Sequence, residues 1–305
     1  NDITGLGNEA ISLSETSSVA NANTISGLTT GAVTATLTTG SLASFSALSE
    51  TGNAFTVSFT DTTEVSAIDL SGLAGKTTVN VDAASVDSFS GGFSEISNLY
   101  ASSNVLGLGS EAFTVTGTLT VNEANSLSAL TGSVVTGVIS QGAISTLVNL
   151  AENGNAYTIT ITDTTGVSTS ALKSIASRTS LDLDAANVVS LAGKASEISE
   201  LYSISNISGL GNEELSLSSS ISVTEANALD LLTSSLITAA VTPGTLSSFS
   251  SLATSSNVFG ITLTDSTFVS ASDLKSLAGK TAGTLDATSI AAVSGTVAEM
   301  SALYA

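Results

Sequence analysis

The residues best able to do chemistry in this chain are aspartates that follow short, β-like runs at regular intervals. Two such positions, 21 residues apart, recur along the sequence: Asp61, Asp82, Asp163, Asp184, Asp265 and Asp286. If successive runs stack as neighbouring strands, carboxylates of adjacent runs could lie within a few ångströms of each other. Carboxylates held that close repel unless a cation bridges them or each accepts a hydrogen bond from a turn amide. Carboxylate oxygens are ligands that Ca²⁺ prefers, so these six residues are candidate calcium ligands.

The alternative role for these aspartates is to cap turns, which needs no ion. An aspartate at the end of a strand commonly accepts a hydrogen bond from the backbone two residues on. Each run supplies one aspartate at this place, whereas Ca²⁺ takes six to eight oxygens. The glycine- and aspartate-rich nonapeptide of calcium-binding β-rolls is also absent. Turn capping is therefore favoured, and calcium is the one cofactor that remains open.

The composition removes several other kinds of site. The chain has no Cys and no His, so the usual zinc ligands and the Ser-His-Asp and Cys-His nucleophiles are missing. Lys173, Lys194 and Lys275 have serines nearby, but the pattern puts them on exposed helices or turns. A formal net charge of −20 repels the phosphates of nucleic acids. No apolar run reaches the roughly 18 residues of a membrane span. We therefore expect neither an enzyme, nor a nucleic-acid partner, nor a membrane span.

The sequence repeats with a period of 102 residues. The tripeptide Gly-Leu-Gly begins at Gly5, Gly107 and Gly209, and further tyrosines, asparagines and aspartates recur at the same interval without a gap. This periodicity predicts three tandem copies, at residues 1–102, 103–204 and 205–305.

Two motifs of this repeat resemble binding motifs. Gly-Leu-Gly could be mistaken for a phosphate loop, but the next charged residue is Glu9, Glu111 or Glu213, which would repel phosphate, so we expect a turn. In the second motif an asparagine recurs at equivalent positions of the three copies. These asparagines could form a ladder or bind glycan. A role in satisfying turn carbonyls is favoured for these asparagines, which are Asn23, Asn125 and Asn227.

A shorter period within each copy predicts the fold. Runs of alternating apolar and hydroxylic residues, such as 156–162, recur about every 22 residues, with one longer unit of about 36 residues in each copy. Ser66, Ser168 and Ser270 are placed to cap short helices. In the first and third of these, Gly75 and Gly279 are placed to end the helix in a left-handed conformation. The longer unit carries a further helix over 93–100.

A strand, a short helix and a second strand in this order make a one-way crossover, which requires parallel strands. The sequence therefore predicts an α/β solenoid of short parallel strands and short helices, right-handed, with about four turns per 102-residue copy. The alternative architecture is an all-β parallel β-helix.

Hydroxylic residues alternate with apolar ones on several predicted strands, as in Thr158 and Thr160. Flat faces of this kind can bind ice or sugar, but hydroxylic residues are also good strand formers that keep a sheet soluble. Runs such as 79–82 and 181–184 interrupt the array, which favours the second role.

The unit length and the order of strand, turn and helix resemble those of leucine-rich-repeat solenoids. Those proteins have a ladder of Asn in their turns, whereas the equivalent turn position in this chain is Asp, Thr or Ser. The whole chain is similar to the giant repetitive secreted and cell-surface proteins of bacteria, including marine cyanobacteria. Those proteins are also rich in Ser, Thr, Ala and Gly, acidic, free of Cys and built of near-100-residue copies. This resemblance implies export and an extracellular location at the bacterial surface.

Together these features predict a structural protein that forms a rod, filament, sheath or surface layer. Neither end of the sequence resembles a polar capping repeat, so we expect the ends to contact further copies of the same unit. The alternative is an adhesin spacer stiffened by Ca²⁺, or a module that binds cell-surface glycan.

Overall fold

The computed structural model of the protein describes residues 4–151, 153–253 and 256–305, and it is an α/β structure of short helices and parallel strands. The strands are Ile11–Ser12 (β1), Val33–Thr36 (β2), Ala54–Thr56 (β3), Val65–Ser66 (β4), Val81–Asp82 (β5), Ser88–Gly91 (β6), Val105–Leu106 (β7), Ala112–Leu119 (β8), Val135–Ile139 (β9), Ala156–Thr160 (β10), Val167–Ser168 (β11), Leu183–Asp184 (β12), Ser190–Gly193 (β13), Ile207–Ser208 (β14), Glu214–Leu217 (β15), Ile237–Ala240 (β16), Val258–Thr262 (β17), Phe268–Ser270 (β18), Leu285–Asp286 (β19) and Ala292–Ser294 (β20).

One or two of these strands precede each helix along the chain. The helices are Val19–Ser26 (α1), Leu42–Phe45 (α2), Ala67–Ala74 (α3), Phe93–Ala101 (α4), Val121–Ser128 (α5), Ile144–Leu147 (α6), Thr169–Ala176 (α7), Ala195–Leu201 (α8), Val223–Leu229 (α9), Ala271–Ala278 (α10) and Val297–Tyr304 (α11), with a 3₁₀ helix at Leu246–Phe249. The predicted α/β class and the parallel pairing of strands are confirmed.

The chain divides into two compact units. The first contains Asn1–Gln141 and Leu150–Thr158, and the second contains Gly142–Asn149 and Ile159–Ala305. In the first unit β1, β2 and β3 pair in that order, β5 pairs with β7, and β4, β6, β8, β9 and residues 156–158 of β10 form a further sheet.

The second unit has the same kind of sheets. Residues 159–160 of β10 pair with β12, which pairs with β14. The strands β11, β13, β15, β16, β17 and β19 follow one another in a second sheet, and β18 pairs with β20.

Paired residues in these sheets are 20, 22 or 24 positions apart in the sequence. Ile11 lies opposite Val33, and Ala156 lies opposite Thr136. The predicted unit of about 36 residues is wrong, because that stretch contains strands that the sequence pattern did not indicate. Val65 pairs with Phe89, which pairs with Phe113, two successive steps of 24 residues.

The core lies under the apolar face of each strand and against the helices. On β10 and the residues after it, Tyr157, Ile159 and Ile161 are buried while Thr158 and Thr160 are exposed. This is the alternation that the sequence predicts for a sheet with one solvated face.

The serine caps of the short helices form as predicted. Ser66 Oγ accepts from Asp69 N at 3.3 Å, and Ser168 Oγ accepts from Ala171 N at 3.4 Å. Each satisfies one of the N–H groups that a helix leaves without a partner in its first turn.

The predicted left-handed helix ends are wrong. Gly75 has φ −74° and Gly279 has φ −75°, both in the right-handed helical region. Gly75 N still donates to Ser71 O at 3.0 Å, so the helical hydrogen bonding continues through the glycine. Ser177 holds the equivalent position of α7 with φ −71°, which shows that no glycine is needed there.

Candidate functional site

Three of the six predicted aspartates cap the short helix that precedes them in the chain by 19 residues. Asp61 Oδ2 accepts from Leu42 N at 2.5 Å, and Asp163 Oδ2 accepts from Ile144 N at 2.7 Å. Asp265 Oδ2 accepts from Leu246 N at 2.7 Å in the same way. A carboxylate is favourable at this place, because it satisfies a free N–H and meets the positive end of the helix dipole. Each of these three carboxylates is half-buried.

The other three aspartates cap the turn that they open. Asp82 Oδ1 accepts from Ala84 N at 2.9 Å, and Asp184 Oδ1 accepts from Ala186 N at 3.0 Å. Asp286 Oδ1 accepts from both the N–H and the hydroxyl of Thr288, and the N–H bond holds the pKa of Asp286 below its ordinary value. These are Asx turns, in which the side chain takes the place of a backbone acceptor.

The strand register does not set the two kinds of aspartate opposite each other. Asp184 lies opposite Thr160 on one side and Ser208 on the other, and Asp286 lies opposite Thr262. Across the part of the chain that the structure describes, no three Asp or Glu side chains are grouped so that they could hold a metal ion. Each carboxylate is therefore occupied separately, by a different backbone N–H.

The Gly-Leu-Gly turns contain buried carboxylates. Glu111 and Glu213 are each 1% exposed. Glu111 Oε2 accepts from Gly109 N at 2.8 Å and from Ser110 N at 3.0 Å, and Glu213 Oε2 accepts from Gly211 N at 2.9 Å. The glutamate that follows the motif thus takes the backbone N–H groups that a phosphate would need.

A tyrosine from the preceding helix completes each of these carboxylate sites. Tyr202 Oη donates to Glu213 Oε2 at 2.5 Å, and Tyr100 Oη donates to Glu111 Oε2. Burial, followed by the bond to the carboxylate, raises the pKa of both tyrosines above the ordinary value, so both phenols stay protonated. The ring of Tyr100 also contacts Phe113 edge-on, at 5.3 Å between centroids. The sequence pattern showed these tyrosines only as markers of the repeat.

The asparagines that could have bound glycan hold the backbone of a neighbouring turn. Asn23 Nδ2 donates to Ala47 O at 2.7 Å, and Asn227 Nδ2 donates to Ser251 O at 2.8 Å. Asn125 Oδ1 accepts from Ala151 N at 2.9 Å. Each side chain is half-buried and acts in the way that the sequence favoured, as a partner for turn backbone.

A second set of asparagines is buried and was not identified as a site from the sequence. Asn53 Oδ1 accepts from Val33 N at 2.8 Å, and Asn155 Oδ1 accepts from Val135 N at 2.9 Å. Asn257 Oδ1 accepts from Ile237 N at 2.8 Å. Each asparagine therefore supplies a hydrogen-bond acceptor to the backbone N–H of the first residue of a strand. That residue lies 20 positions earlier in the chain. Their exact recurrence at 102-residue intervals was the available signal.

The three lysines considered for hydrolase chemistry lie on or at the start of helices. Lys173 Nζ forms an ion pair with Glu200 on the neighbouring helix. Lys194 lies at the N-cap position of α8, where its backbone N–H donates to Glu197 Oε2 at 3.0 Å. Lys275 lies in the last turn of α10, where a cation is favourable against the helix dipole.

A cleft is present in each of the two units. In the second unit a cleft of about 530 Å³ lies between the 3₁₀ helix and α10 and is lined by Phe249, Leu277 and Lys280 among others. Lys280 Nζ donates to Ser250 O at 2.6 Å across it. In the first unit a cleft of about 290 Å³ has Phe45, Leu73 and Lys76 at the equivalent positions. The cleft of the second unit is lined by serines, aspartates and a lysine as well as by apolar side chains, whereas the cleft of the first unit is lined mainly by apolar side chains.

No protein-family model, curated protein or solved structure matches this chain. Within the residues that the structure describes, no helix is both long and apolar enough to cross a membrane.

Proposed function

We propose that this chain is part of a structural, extracellular repeat protein of bacterial type. In this proposal its three 102-residue copies form a right-handed α/β solenoid of about four turns per copy. The solenoid associates with copies of itself into a rod, filament, sheath or surface layer. It works as a material and carries out no catalysis.

The observation that carries the proposal is the spacing of the paired strands. Each parallel pair joins residues 20, 22 or 24 positions apart, as for Thr34 with Ala54 and Leu191 with Leu215. A solenoid requires this pattern, because each short stretch of chain packs mainly on its neighbours in the sequence. Crossovers between parallel strands are right-handed in nearly all known sheets, which supports the proposed hand.

The recurrence of buried polar contacts supports a repeated unit. The hydrogen bonds of Asn53, Asn155 and Asn257 to a strand N–H recur at equivalent positions, with distances between 2.8 and 2.9 Å. A buried amide that meets the same partner in each copy fixes the register between neighbouring turns.

The chemistry of the surface supports a structural role. The residues that looked most reactive, the aspartates, accept hydrogen bonds from the protein itself. The absence of Cys leaves no thiol to oxidise, which suits a material used outside the cell. The similarity of the whole composition to giant repetitive bacterial surface proteins supports the extracellular location.

Electron microscopy of the native material tests the proposal. We expect negative-stain images to contain extended filaments or layers, and gold-labelled antibodies against this chain to mark the surface of intact cells. Compact, monodisperse particles together with labelling confined to the cell interior would contradict it.

A further inference from the structure

The cleft of the second unit differs in chemistry from its counterpart in the first unit. The first-unit cleft lies between α2 and α3, and the second-unit cleft lies between the 3₁₀ helix and α10, which are the equivalent elements of the third copy. Three lining residues of the second cleft differ in type from the residues at the same positions of the first copy: Ser247 stands in place of Ala43, Phe268 in place of Glu64 and Ser276 in place of Gly72. The third copy therefore adds two hydroxyls and an aromatic ring to this cleft.

Phe268 differs from its equivalents in backbone as well as in side chain. Glu64 and Gly166, at the same position of the other two copies, have left-handed φ values of +52° and +63°. Phe268 is instead the first residue of β18 and pairs with Ala292, so this strand begins one residue earlier than β4 and β11 do. The Phe268 side chain is 76% exposed and lines the cleft. An aromatic ring is thus held at the surface, where it adds little to the core.

The cleft has the size of a small-ligand site. Its volume is about 530 Å³, compared with about 290 Å³ for the cleft of the first unit. Ligand sites in proteins commonly have volumes of about 300 to 1,000 Å³. Among the described residues, a Cβ at Gly72 would have nothing within 4 Å, so packing does not explain why the equivalent residue of the third copy is Ser276.

One wall of the cleft is formed by α10 and the turn after it. Asp273, Ser276 and Lys280 line this wall at intervals of three and four residues, the spacing that places side chains on one face of a helix. Asp273 and Ser276 are exposed, so their carboxylate and hydroxyl are accessible to a ligand. Lys280 Nζ donates to Ser250 O at 2.6 Å, which holds the ammonium group in the cleft.

The opposite wall is formed by the 3₁₀ helix. Ser247 and Ser250 are exposed, whereas Phe249 between them is 1% exposed and packs into the core. Asp265 Oδ2 accepts from Leu246 N at 2.7 Å and so holds the start of this helix. The two walls therefore present hydroxyls on both sides of the cleft.

This mixture of groups restricts the class of ligand. An anion would be repelled by Asp265, Asp273 and the formal net charge of −20. A cation would meet the ammonium group of Lys280. A wholly apolar ligand would cover the serine hydroxyls and carboxylates without giving them hydrogen-bond partners, which costs free energy. An uncharged ligand that has many hydroxyls and one apolar face avoids all three penalties.

We infer that the cleft between the 3₁₀ helix and α10 binds a neutral saccharide. The C–H face of a sugar ring packs on the exposed ring of Phe268, because the negative face of an aromatic ring attracts polarised C–H groups. Sugar hydroxyls donate to the carboxylate of Asp273 and exchange hydrogen bonds with the hydroxyl of Ser276, which can both donate and accept. The inference does not depend on the proposed self-association.

An array of immobilised probes tests the class of ligand with the 305-residue chain. The probes are short neutral oligosaccharides of glucose, galactose, mannose and N-acetylglucosamine, uronic-acid oligosaccharides of matched length, and an oligolysine peptide. We expect the chain to be retained on at least one neutral oligosaccharide and not on the acidic ones. Retention on oligolysine or uronic acids alone, or on no probe at all, would overturn the inference.

Substitutions in the cleft test the site. Phe268→Leu keeps an apolar side chain but removes the ring, and it should raise the Kd for the retained neutral oligosaccharide about tenfold in isothermal titration calorimetry. Asp273→Ala should also weaken binding, although the helix cap from Ser270 Oγ to Asp273 N is kept. Leu231→Ala, at a site 87% exposed and outside the cleft, is the matched control and should leave the Kd unchanged. Because Phe268 is also exposed, urea denaturation should show equal stability for Phe268→Leu and the natural chain. An unchanged Kd in Phe268→Leu would overturn the proposed stacking.

Hydrogen exchange locates the bound saccharide. We expect slower exchange in Leu246–Phe249 and Ala271–Ala278 when the neutral oligosaccharide is present, and no change in the equivalent helices Leu42–Phe45 and Ala67–Ala74. Protection confined to any other part of the chain would overturn the site. Neither result bears on the proposed structural role, which is tested separately by the images of the native material.

Discussion

The phenol of Tyr202 donates to Glu213 Oε2 at 2.5 Å, and Glu213 is 1% exposed. The same carboxylate accepts from Gly211 N, so one buried side chain joins the end of α8 to the Gly-Leu-Gly turn and the start of β15. Tyr100 and Glu111 make the same connection 102 residues earlier. This contact links the helix end, the turn and the strand through one buried carboxylate.

Removal of the phenol is expected to destabilise the fold. Tyr202→Phe leaves the buried carboxylate of Glu213 short of one donor, and this should lower the free energy of unfolding by about 2 kcal/mol. The measurement is urea denaturation followed by circular dichroism. Tyr304→Phe, at the equivalent but exposed position, is the control and should leave the stability of dilute protein unchanged. Equal effects of the two substitutions would contradict the role given to the Tyr202–Glu213 bond.

The sequence predicted the class of fold because its strongest signals are local. The alternation of Thr158, Ile159, Thr160 and Ile161 indicates a strand with one buried face, and the structure has that strand and that burial. Ser168 caps α7 as its position before an apolar helical pattern indicates. These features depend on residues within one turn or one strand of each other.

The strands that the sequence pattern missed have weak local signals. Ser88–Gly91 and Ser190–Gly193 contain serine and glycine in place of β-branched residues, so neither run favours a strand by itself. They form strands because each is paired on both sides by a neighbour, as Phe89 is by Val65 and Phe113. Tertiary pairing here overrides a low intrinsic preference.

The partners of the candidate site residues could not be predicted for a similar reason. Asp61 was expected to act on its own turn, yet it accepts from Leu42 N, 19 residues earlier in the chain. Nothing near Asp61 in the sequence indicates that partner, because the contact joins two segments that are 19 residues apart. The 102-residue recurrence identifies these aspartates as candidate site residues. The pairing of the strands determines which backbone group each aspartate contacts.

Loss of a buried asparagine should cost more than loss of an exposed one. Asn155→Ala removes the acceptor for the N–H of Val135, a buried residue at the start of β9, and should lower the unfolding free energy by about 2 kcal/mol. Asn122→Ala, at an exposed site on α5, is the control and should change stability by less than about 0.5 kcal/mol. Thermal and urea unfolding of both variants would check this, and similar midpoints would contradict it.

The helix-capping aspartates should stabilise the protein without a metal ion. Asp163→Ala removes the acceptor for Ile144 N and is expected to cost about 1 kcal/mol, whereas Asp163→Asn keeps an acceptor oxygen and should cost less. Addition of EDTA should not change the unfolding midpoint of the natural chain. A midpoint that falls with EDTA and recovers with Ca²⁺ would instead support calcium binding by these residues.

Acid should weaken the caps of three helices. Glu123, Glu225 and Glu299 each accept from the backbone N–H of the N-cap residue, and this bond, with a second from the cap hydroxyl, lowers their pKa below 4.5. A lowered pKa in the folded state means that the charged form stabilises the fold. This contribution is present above pH 4.5 and is lost as the pH falls through the lower folded values.

Glutamine at these three positions separates titration from hydrogen bonding. The triple variant Glu123→Gln, Glu225→Gln and Glu299→Gln keeps an acceptor oxygen but cannot be protonated in this range. Its unfolding free energy, measured in urea from about pH 5 to about pH 3, should decline less steeply than that of the natural chain. Parallel curves for the two proteins would show that these glutamates do not contribute to the acid dependence.

The first glycine of each Gly-Leu-Gly motif should tolerate substitution differently in different copies. Gly209 has φ +85°, and a Cβ there would come within 2.6 Å of the backbone of Ala186. Gly5 has φ +94° but nothing within 4 Å of the same Cβ position. Alanine at either position must adopt the unfavourable left-handed conformation, which costs about 1 kcal/mol. Only at Gly209 does the added Cβ also meet a backbone atom, which cannot move aside.

Gly209→Ala is therefore expected to destabilise the protein by at least about 2 kcal/mol more than Gly5→Ala does. Gly211→Ala, with φ +131° and open space around its Cβ position, is a second control within the same turn and should resemble Gly5→Ala. Urea denaturation of the three variants measures the difference directly. Equal losses at Gly209 and Gly211 would mean that backbone conformation alone requires the glycines. A larger loss at Gly209 would show that its close packing against the backbone of Ala186 requires glycine there as well.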